Sequence, residues 1–558
     1  MKRVFPYRKY GEATRFLVLG SSGNLFDSSN LSSPILTIAA MVDFSVVAIY
    51  NRVYITPHNG VTGLAGEKVY VYNGSGVAGA AGGTVPTGFT LVVADSVSSG
   101  NPESGLRLFA VAYETAYGFI TAPGPAAYTS HTSAGGLKLA ISSIPVGPAG
   151  TVARYIICTK VIVDYDGNQD GQDYYFAYGG RIGDNSATTA TLDFFDAQLV
   201  ESANYLFDQL TEIPASLGLM IYQNSLVTWG ENAFPYVVRV SKQGEPESFN
   251  GEVGYLRVEP TDSSGVKDVI EYRNQLVMLK SNRTSATQRI SGTEAALWEV
   301  ISVDPSTGGE CRSIGVLLDA PGAFNDYFLV ANRNGLLVFN GSYSLNLSNK
   351  VSTLWSTINF KYLHTVQILI DSDRNRIYCA VPTGNNTSPN QLLVCDYTNG
   401  LTEESVVWTR WTFPIVPTSI ALDFDYTTKL AVLYYASTNI LKLSDSATDD
   451  NNVAIDSFIT TPKYAVNGNE QLSTFTGLRL RVVGSGNLQL SLTAEDDTHA
   501  VTLTSRALST APGKPLFHPL NYQSERASVT MRTSAFGEWF RLKSFRIYGV
   551  PTYTERPL

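Results

Sequence analysis

One pattern recurs six times along the chain: an apolar, β-rich run, a short turn carrying Asn, Arg, Gly or Asp, and a second β-rich run. Residues 269–272 (VIEY) and 275–279 (QLVML) are one such pair. The six turns lie near Asn51-Arg52, Gln223-Asn224, Arg273-Asn274, Arg333-Asn334, Asp373-Arg374 and Tyr426-Thr427. A single hairpin cannot bury its own apolar face, so the copies are expected to pack on one another. Repeated sheets of this size close most naturally into a β-propeller, here with about six blades.

The composition indicates an all-β protein with several domains. Only 16% of residues are charged, while the chain holds 31 Tyr and 25 Phe together with much Gly, Ser, Thr and Asn. β-Branched and aromatic residues fit pleated, half-buried surfaces. Because 558 residues exceed the size at which one core keeps growing, about two to four domains are expected.

The segment between the first and second repeats is too long for a loop and predicts an inserted domain. It opens with the small-residue tract GSGVAGAAGG at 74–83, which has the composition of a flexible hinge. Seven short β-rich runs follow, at residues 88–94, 105–113, 118–125, 137–141, 153–159, 174–178 and 189–193. Strands of this number and length predict a β-sandwich. The run YETAYGFITAPGP at 113–125 resembles the C–C′ region of fibronectin type III-like modules.

The end of the chain predicts a second sandwich. Apolar and polar residues alternate strictly in the runs at 477–483, 487–492, 501–504, 527–532 and 540–548. Strict alternation indicates one buried and one solvated face, so we expect an antiparallel C-terminal β-sandwich. Its outward face would carry the most basic part of the chain, namely Arg479, Arg481, Arg541, Lys543 and Arg546.

Four domains follow from these patterns. They are residues 1–72, the N-terminal strands and first blade; 73–200, the inserted fibronectin-like β-sandwich; 201–450, the remaining blades; and 451–558, the C-terminal β-sandwich. A further hairpin at residues 12–27 is expected to donate strands to the last blade, which would close the ring and hide its sheet edges. Residues 195–210 are the best candidate for a helix.

Side chains that could carry catalysis or bind a metal are scattered. The histidines are His58, His131, His364, His499 and His518. None of them has a second ligand at metal-binding spacing. The cysteines are Cys158, Cys311, Cys379 and Cys395. They lack CxxC spacing and are expected to be reduced and buried, although the last two fall in one predicted blade and could be close. Nucleophile-elbow, P-loop and HExxH signatures are missing. We therefore predict no catalytic, cofactor or metal site, and no enzyme activity.

One motif has a sharper pattern. The segment Asp166-Gly-Asn168-Gln-Asp170-Gly171 matches the opening D-x-[DN]-x-[DN]-G of a calcium loop. The twelfth loop position would be Ala177 in place of the bidentate Glu, and the flanks are strand-like. A hairpin turn rich in Asp, Asn and Gly has the same composition, so a plain turn is favoured and cation binding stays open.

The charge of the chain limits its partners. With a formal net charge of −9, tight binding to nucleic acid is not expected, because phosphate binding depends on clustered Lys and Arg. The basic start MKRVFPYRKY lacks the apolar stretch of a secretory signal, and no run approaches the length of a membrane span. The sequence therefore predicts a protein made in a cytoplasm, with no membrane span.

Several phrases resemble bacteriophage tail proteins. They are residues 237–249 (VVRVSKQGEPESF), 275–281 (QLVMLKS), 306–315 (STGGECRSIG) and 326–341 (DYFLVANRNGLLVFNG). With the propeller and the two sandwiches, the chain resembles the nozzle (tail tubular protein B-like) and related tail hub proteins of short-tailed phages. The resemblance implies a structural protein of the virion tail, assembled in the host bacterial cytoplasm, with six copies in a ring that continues the DNA ejection channel. It also implies an adaptor as neighbour, attached fibres or spikes, and passage of double-stranded DNA without sequence-specific binding.

The alternative from another class is a carbohydrate-binding or carbohydrate-degrading propeller. Glycosidases use paired carboxylates, and candidates here are Asp268, Glu271, Asp371, Asp423 and Asp425. Sugars could stack on the tryptophans Trp229, Trp298, Trp355, Trp408 and Trp411. Large aromatic residues at strand positions normally fill the space between blades, however. The Ser-x-Asp-x-Gly-x-x-Trp box of sialidases is also missing, so the structural role is preferred.

Overall fold

The computed structural model describes most of the chain as antiparallel β-sheet. The described residues are 2–59, 63–64, 68–87, 91–124, 129–165, 167, 171–259, 264–289, 295–309, 316–317, 327–339, 344–413, 416–425, 428–436, 439–444, 447, 449–450, 452–466, 472–495, 500–510 and 515–552. The all-β class is therefore confirmed. The chain forms two compact units, Met1–Thr412 with Val416–Lys442 and Phe413–Ile415 with Leu443–Leu558. The predicted boundaries at 72, 200 and 450 stay predictions.

In the described parts of the chain, helical structure is limited to short pieces. An α-helix spans Ser352–Trp355. Turns of 3-10 helix occur at Asp196–Gln198, Asn204–Leu206, Ala295–Leu297, Asn349–Val351 and Phe360–Thr365. Within the described ranges, each helix is too short to cross a lipid bilayer. The helix expected at 195–210 is wrong, because this stretch forms only the first two of these 3-10 turns.

Apart from the segment between Ala80 and Gly218, the described residues of the first unit form seven antiparallel sheets, numbered here in chain order. They are sheet 1 (Arg3–Tyr7, Arg15–Leu19, Asn24–Asp27, Leu36–Thr37), sheet 2 (Asp43–Ile49, Arg52–Asn59, Gly63–Leu64, Tyr70–Tyr72, Gly79–Ala80), sheet 3 (Gly218–Tyr222, Ser225–Trp229, Val237–Val240, Tyr255–Arg257), sheet 4 (Asp268–Tyr272, Gln275–Leu279, Thr284–Arg289, Glu299–Asp304), sheet 5 (Val316–Leu317, Tyr327–Asn332, Gly335–Phe339, Ser344–Asn346), sheet 6 (Gln367–Asp371, Arg376–Val381, Gln391–Asp396, Val407–Trp411) and sheet 7 (Ser419–Asp425, Leu430–Ala436, Ile440–Lys442).

The repeated hairpins are confirmed. All six flanking runs pair as antiparallel strands. Three of the turns use Asn at positive φ, with 60° at Asn51, 63° at Asn224 and 59° at Asn274. The turn expected at 426–427 lies outside the described residues. Asn tolerates this conformation better than most residues, and a pair of positive φ values is typical of the type I′ hairpin turn. In sheet 5 the hairpin joins the second and third strands, whereas in the other sheets it joins the first and second.

Each sheet packs on the next one along the chain, through shared apolar clusters or hydrogen bonds. Sheet 7 meets sheet 6 where the Ile420 N–H donates to Gln367 Oε1 at 2.8 Å. Sheet 7 also meets sheet 1, because Val4 packs in one cluster with Ala421 and its N–H donates to Ser419 Oγ at 3.2 Å. The packing contacts therefore run through all seven sheets and return to the first.

The expected role of residues 12–27 is wrong. The two strands of this hairpin pair with Arg3–Tyr7 and Leu36–Thr37 and form a sheet of their own, sheet 1. Sheet 1 contacts sheet 7 through side chains such as Phe16, whose ring lies 4.9 Å from that of Tyr434. The N-terminal strands thus complete the circuit as a separate sheet and do not extend the last one.

The segment between sheets 2 and 3, called the insert below, holds two antiparallel sheets. One contains Val92–Ser99, Leu137–Ser142 and Ala190–Leu192, and the other contains Gly105–Thr115, Thr129–Ser133, Thr151–Thr159 and Tyr174–Ile182. Both sheets contribute to one apolar core, which includes Phe109, Ile141 and Phe194. The strand expected at 118–125 is wrong: Ile120 makes only an isolated bridge to Glu114.

The second unit is built from two main sheets. A five-stranded sheet contains Ser457–Thr460, Tyr464–Ala465, Asn487–Ala494, Ala500–Ala507 and Arg526–Thr533, and a three-stranded sheet contains Ser473–Ser485, Leu516–Ser524 and Trp539–Pro551. Asp449–Asp450 and Val453–Ala454 form a small pair. Alternating apolar residues from both main sheets, including Leu478, Leu490 and Val529, share one core.

Candidate functional site

A cleft of about 500 Å³ lies where the insert meets sheets 2 and 3. Its lining includes Arg52 at the start of a sheet 2 strand, Tyr117 from a turn of the insert and Glu247 from the loop after Val237–Val240. The three side chains come from segments far apart in sequence. The cleft therefore exists only because the insert folds back against the neighbouring sheets.

Glu247 is the most unusual ionisable group of this cleft. Its residue is 2% exposed, and its carboxylate accepts hydrogen bonds from the Gly82 N–H at 2.9 Å and the Tyr54 hydroxyl at 3.2 Å. Arg52 Nη1 lies 3.7 Å from Glu247 Oε1. Burial raises the pKa of Glu247, and the hydrogen bond from Gly82 and the charge of Arg52 only partly offset this rise.

Arg52 connects the carboxylate to the insert. Its Nη2 donates to the Tyr117 carbonyl at 2.6 Å, and its guanidinium lies 5.4 Å from the centre of the Tyr117 ring. The Tyr117 hydroxyl donates to the Val71 carbonyl at 3.4 Å. A planar guanidinium suits such a combined role, because it can stack on a ring while it donates in its own plane. The group Glu247–Arg52–Tyr117 thus ties the insert to sheets 2 and 3.

A second cavity, of about 310 Å³, lies among the first strands of sheets 1 to 4. Arg3, Asp268 and Glu271 line it together with mostly apolar side chains. Arg3 forms an ion pair with Asp43, with Nε 3.6 Å from Oδ1. Two of the five carboxylates considered for catalysis, Asp268 and Glu271, thus border one cavity.

The other three candidate carboxylates bind neighbouring segments. Asp371 is buried and accepts from Arg374 Nη1 at 3.0 Å, and the same nitrogen donates to the Ala431 carbonyl of sheet 7 at 2.6 Å. Asp423 accepts from Thr14 Oγ1 at 2.7 Å. Asp425 forms an ion pair with Lys442 at 3.6 Å. The contacts of Asp371 and Asp423 join sheets 6, 7 and 1, and the ion pair of Asp425 lies within sheet 7. These are structural contacts.

The histidines have separate surroundings. A ring nitrogen of buried His58 lies 3.2 Å from the Ser216 carbonyl, and His131 lies 3.0 Å from Asp95 Oδ1. In the second unit, Arg506 Nε lies 3.1 Å from His518 Nε2. His364 lies in the 3-10 turn Phe360–Thr365, and His499 lies outside the described residues. In the part of the chain that the structure describes, no three His, Cys, Asp or Glu side chains form a metal-binding group.

The cysteines and the calcium-like motif add no site among the described residues. Cys158, Cys379 and Cys395 are buried, whereas Cys311 lies outside the described residues. Burial raises the pKa of the Cys395 thiol to about 12, which keeps it protonated and unreactive at neutral pH. Of the motif at 166–171, only the two glycines are described.

The five candidate tryptophans pack between or against sheets. The indole N–H groups of Trp229, Trp355 and Trp408 donate to backbone carbonyls at 3.3, 3.1 and 2.7 Å. Trp298 is buried, and Trp411 is half-buried with its ring 5.9 Å from that of Tyr378. The sixth tryptophan, Trp539, is 42% exposed on the second unit.

The basic residues of the second unit lie as the alternation predicts. Arg479, Arg481, Arg541, Lys543 and Arg546 are all exposed on the three-stranded sheet.

The sequence did not indicate Glu247, Arg52 or Tyr117 as site residues, because no local pattern signals that a Glu in a turn will be buried.

Comparisons with known proteins give no family. No family model matches the sequence, and no curated protein matches it. Similar solved structures include the exo-β-1,3-galactanase of Phanerochaete chrysosporium with β-1,3-galactotriose (TM-score 0.24) and with galactose (TM-score 0.22). Each is 10% identical and covers 59% of this chain and 95% of its own. A protein described as a glycoside hydrolase covers 91% of this chain and 97% of its own, at 10% identity and a TM-score of 0.17. Scores this low carry no argument about function.

Proposed function

We propose that this chain is a structural protein of a short-tailed bacteriophage tail, a ring-forming nozzle or hub that continues the DNA ejection channel and anchors fibres or spikes. The basis for the family is the resemblance of residues 237–249, 275–281, 306–315 and 326–341 to phage tail proteins. The adaptor, the ring of six copies and the location in the virion tail are parts of the same proposal.

One observation in the fold favours a structural role over a catalytic one. Buried and half-buried ionic groups join separate segments: Asp371 with Arg374 joins sheets 6 and 7, Asp423 reaches Thr14 near sheet 1, and Glu247 joins the insert to its neighbours. Removing one partner of such a buried pair is costly, so these groups fix the positions of the segments that they join. Groups bonded to neighbours on several sides are also poorly placed to exchange protons with a substrate.

A β-propeller architecture is also part of the proposal. We take the seven sheets as seven blades of a β-propeller, one more than the repeat count predicted, with sheet 1 as the additional blade. The circuit of contacts from sheet 1 through sheet 7 supports this arrangement. The two-sheet insert and the second unit are then accessory sandwiches, which extend the surface available for contact with other subunits.

Electron microscopy of the purified protein and of phage particles tests the tail assignment. Closed rings of this chain, and density for it at the distal part of the tail, are the expected results. A protein that is monomeric at every concentration and missing from the particle would rule the assignment out.

The carbohydrate-active alternative has one observation in its favour, the cavity lined by Arg3, Asp268 and Glu271. A depolymerase assay and a glycan array on wild-type protein and on the D268N/E271Q variant would decide between them. Activity or binding that disappears in the double variant would favour the alternative. A protein that is inactive in both forms and assembles into rings would favour the structural role.

A further inference from the structure

The outward face of the three-stranded sheet in the second unit concentrates positive charge. Arg479 of the central strand lies directly opposite Arg546 of the last strand, and Arg481 lies opposite Ser544. The register then shifts, since the next pair is Val482 with Leu542, so Lys543 sits in a bulge. A bulge adds one residue to one strand, which is why neighbouring positions in it can both be exposed.

These cations are not neutralised within the described residues. The face also contains positions of the strand Leu516–Ser524 and further positions of the central strand. They are Phe517, Pro519, Asn521, Gln523, Thr474, Thr476, Val483 and Ser485, and none of these is a carboxylate. Two arginines directly opposite each other repel and cost stability. Residues 443–558 contain eleven Lys and Arg and eleven Asp and Glu, so this clustering is a matter of placement and not of overall charge.

Exposed apolar side chains lie among the cations. Phe517, Trp539, Tyr548 and Val550 are 54%, 42%, 38% and 56% exposed. The Phe517 and Tyr548 rings lie 6.4 Å apart, and Phe517 covers Gly477, where a Cβ atom would lie 2.7 Å from the ring. Trp539 and Tyr548 are nine residues apart on one strand, which corresponds to roughly 30 Å. The apolar side chains therefore flank the basic stretch at both ends.

We propose that this basic, aromatic face binds the surface of a membrane containing anionic phospholipids. Cations attract the anionic head groups, while Trp and Tyr rings are favoured at the boundary between head groups and acyl chains. Exposed Val550 and Phe517 gain by partial insertion there, because apolar side chains are removed from water. A nucleic acid would use the cations but would leave Val550 without a partner. This inference does not depend on the tail assignment.

Vesicle co-sedimentation of the full chain tests the proposal. Vesicles of phosphatidylcholine with about one third phosphatidylglycerol should bind the protein at low salt, and pure phosphatidylcholine vesicles should not. Each cation near an anionic surface contributes about 1 kcal/mol, so R479Q/R546Q should lower the partition coefficient about 30-fold. The variant W539A/Y548A should weaken the part of binding that survives high salt.

A matched control and a competing ligand make the test decisive. The R257E/R410E variant changes two exposed strand arginines of the first unit and should bind vesicles as wild type does, although it alters net charge more than R479Q/R546Q. Thermal unfolding of each variant shows whether it is folded. Equal loss in R257E/R410E would overturn the proposal, because binding would then follow net charge alone. The proposal would also be overturned if wild-type protein does not bind anionic vesicles, or if it binds only a single-stranded oligonucleotide.

Discussion

Removing the Glu247 carboxylate should loosen the junction between the insert and sheets 2 and 3. In the E247A variant the Gly82 N–H and the Tyr54 hydroxyl lose their buried acceptor. A buried polar group left without a partner costs about 1–3 kcal/mol, and the Arg52 side chain adds little because it is 29% exposed. We expect a destabilisation of about 2–4 kcal/mol. The E247Q variant keeps the volume and an acceptor, so it should cost less than about 1 kcal/mol.

Hydrogen exchange of a peptide containing Gly82, followed by mass spectrometry, measures this destabilisation locally. Each 1.4 kcal/mol corresponds to a tenfold change, so E247A should speed exchange of the Gly82 amide by about 30- to 700-fold. The E245A variant is the control, because the Glu245 side chain is exposed and forms an ion pair with Lys242, three residues away in the chain. Equal protection of Gly82 in E247A and wild type would refute the proposed role of the carboxylate.

The pH dependence of the same variants gives a second test. Since burial raises the folded-state pKa of Glu247 above its unfolded value, the folded protein holds an extra proton between these two values. Its stability is therefore highest below the unfolded pKa and falls as pH rises through the folded pKa. The E247Q variant lacks this titration and should show a smaller fall in urea midpoint over that range. An unchanged slope in E247Q would contradict the assigned pKa shift.

Three further predictions concern packing, thiols and DNA. A Cβ at Gly218 would collide with the Trp229 ring, so G218A should cost about 1–3 kcal/mol in urea unfolding, while G79A, which has open space, should cost little. In the C311S variant, Ellman's reagent should not label the native protein, because Cys158, Cys379 and Cys395 are buried. Burial also raises the pKa of the Cys158 thiol. Immediate labelling would contradict this burial. Gel-shift assays at low salt should show only weak binding of duplex DNA, because residues 1–442 hold the whole formal charge of −9 and repel phosphate. Tight, salt-sensitive binding would argue against the proposed passage of DNA through a channel formed by this chain.

The sequence predicted the features that depend on a few neighbouring residues. Turn residues such as Asn, which tolerates positive φ at Asn51, Asn224 and Asn274, and apolar runs on both sides are sufficient to define a hairpin. Strict alternation at 540–548 also identified the exposed cations of the second unit, because alternate residues of a strand face opposite sides. The short strand Val316–Leu317 and the strand Thr129–Ser133 were missed, because a brief or polar run has no distinct periodicity.

The sequence by itself therefore determined an all-β chain, its hairpins and the polarity of its last sheet, since each rests on local turn chemistry and a two-residue period. Only the tertiary structure decided that sheet 1 packs against sheet 7, because the contact between Val4 and Ser419 joins residues 415 positions apart. It also decided that Glu247 is buried beside Arg52 and Gly82. Burial and charge pairing depend on which distant segments contact each other, and the local patterns of a single sequence do not show which segments these are.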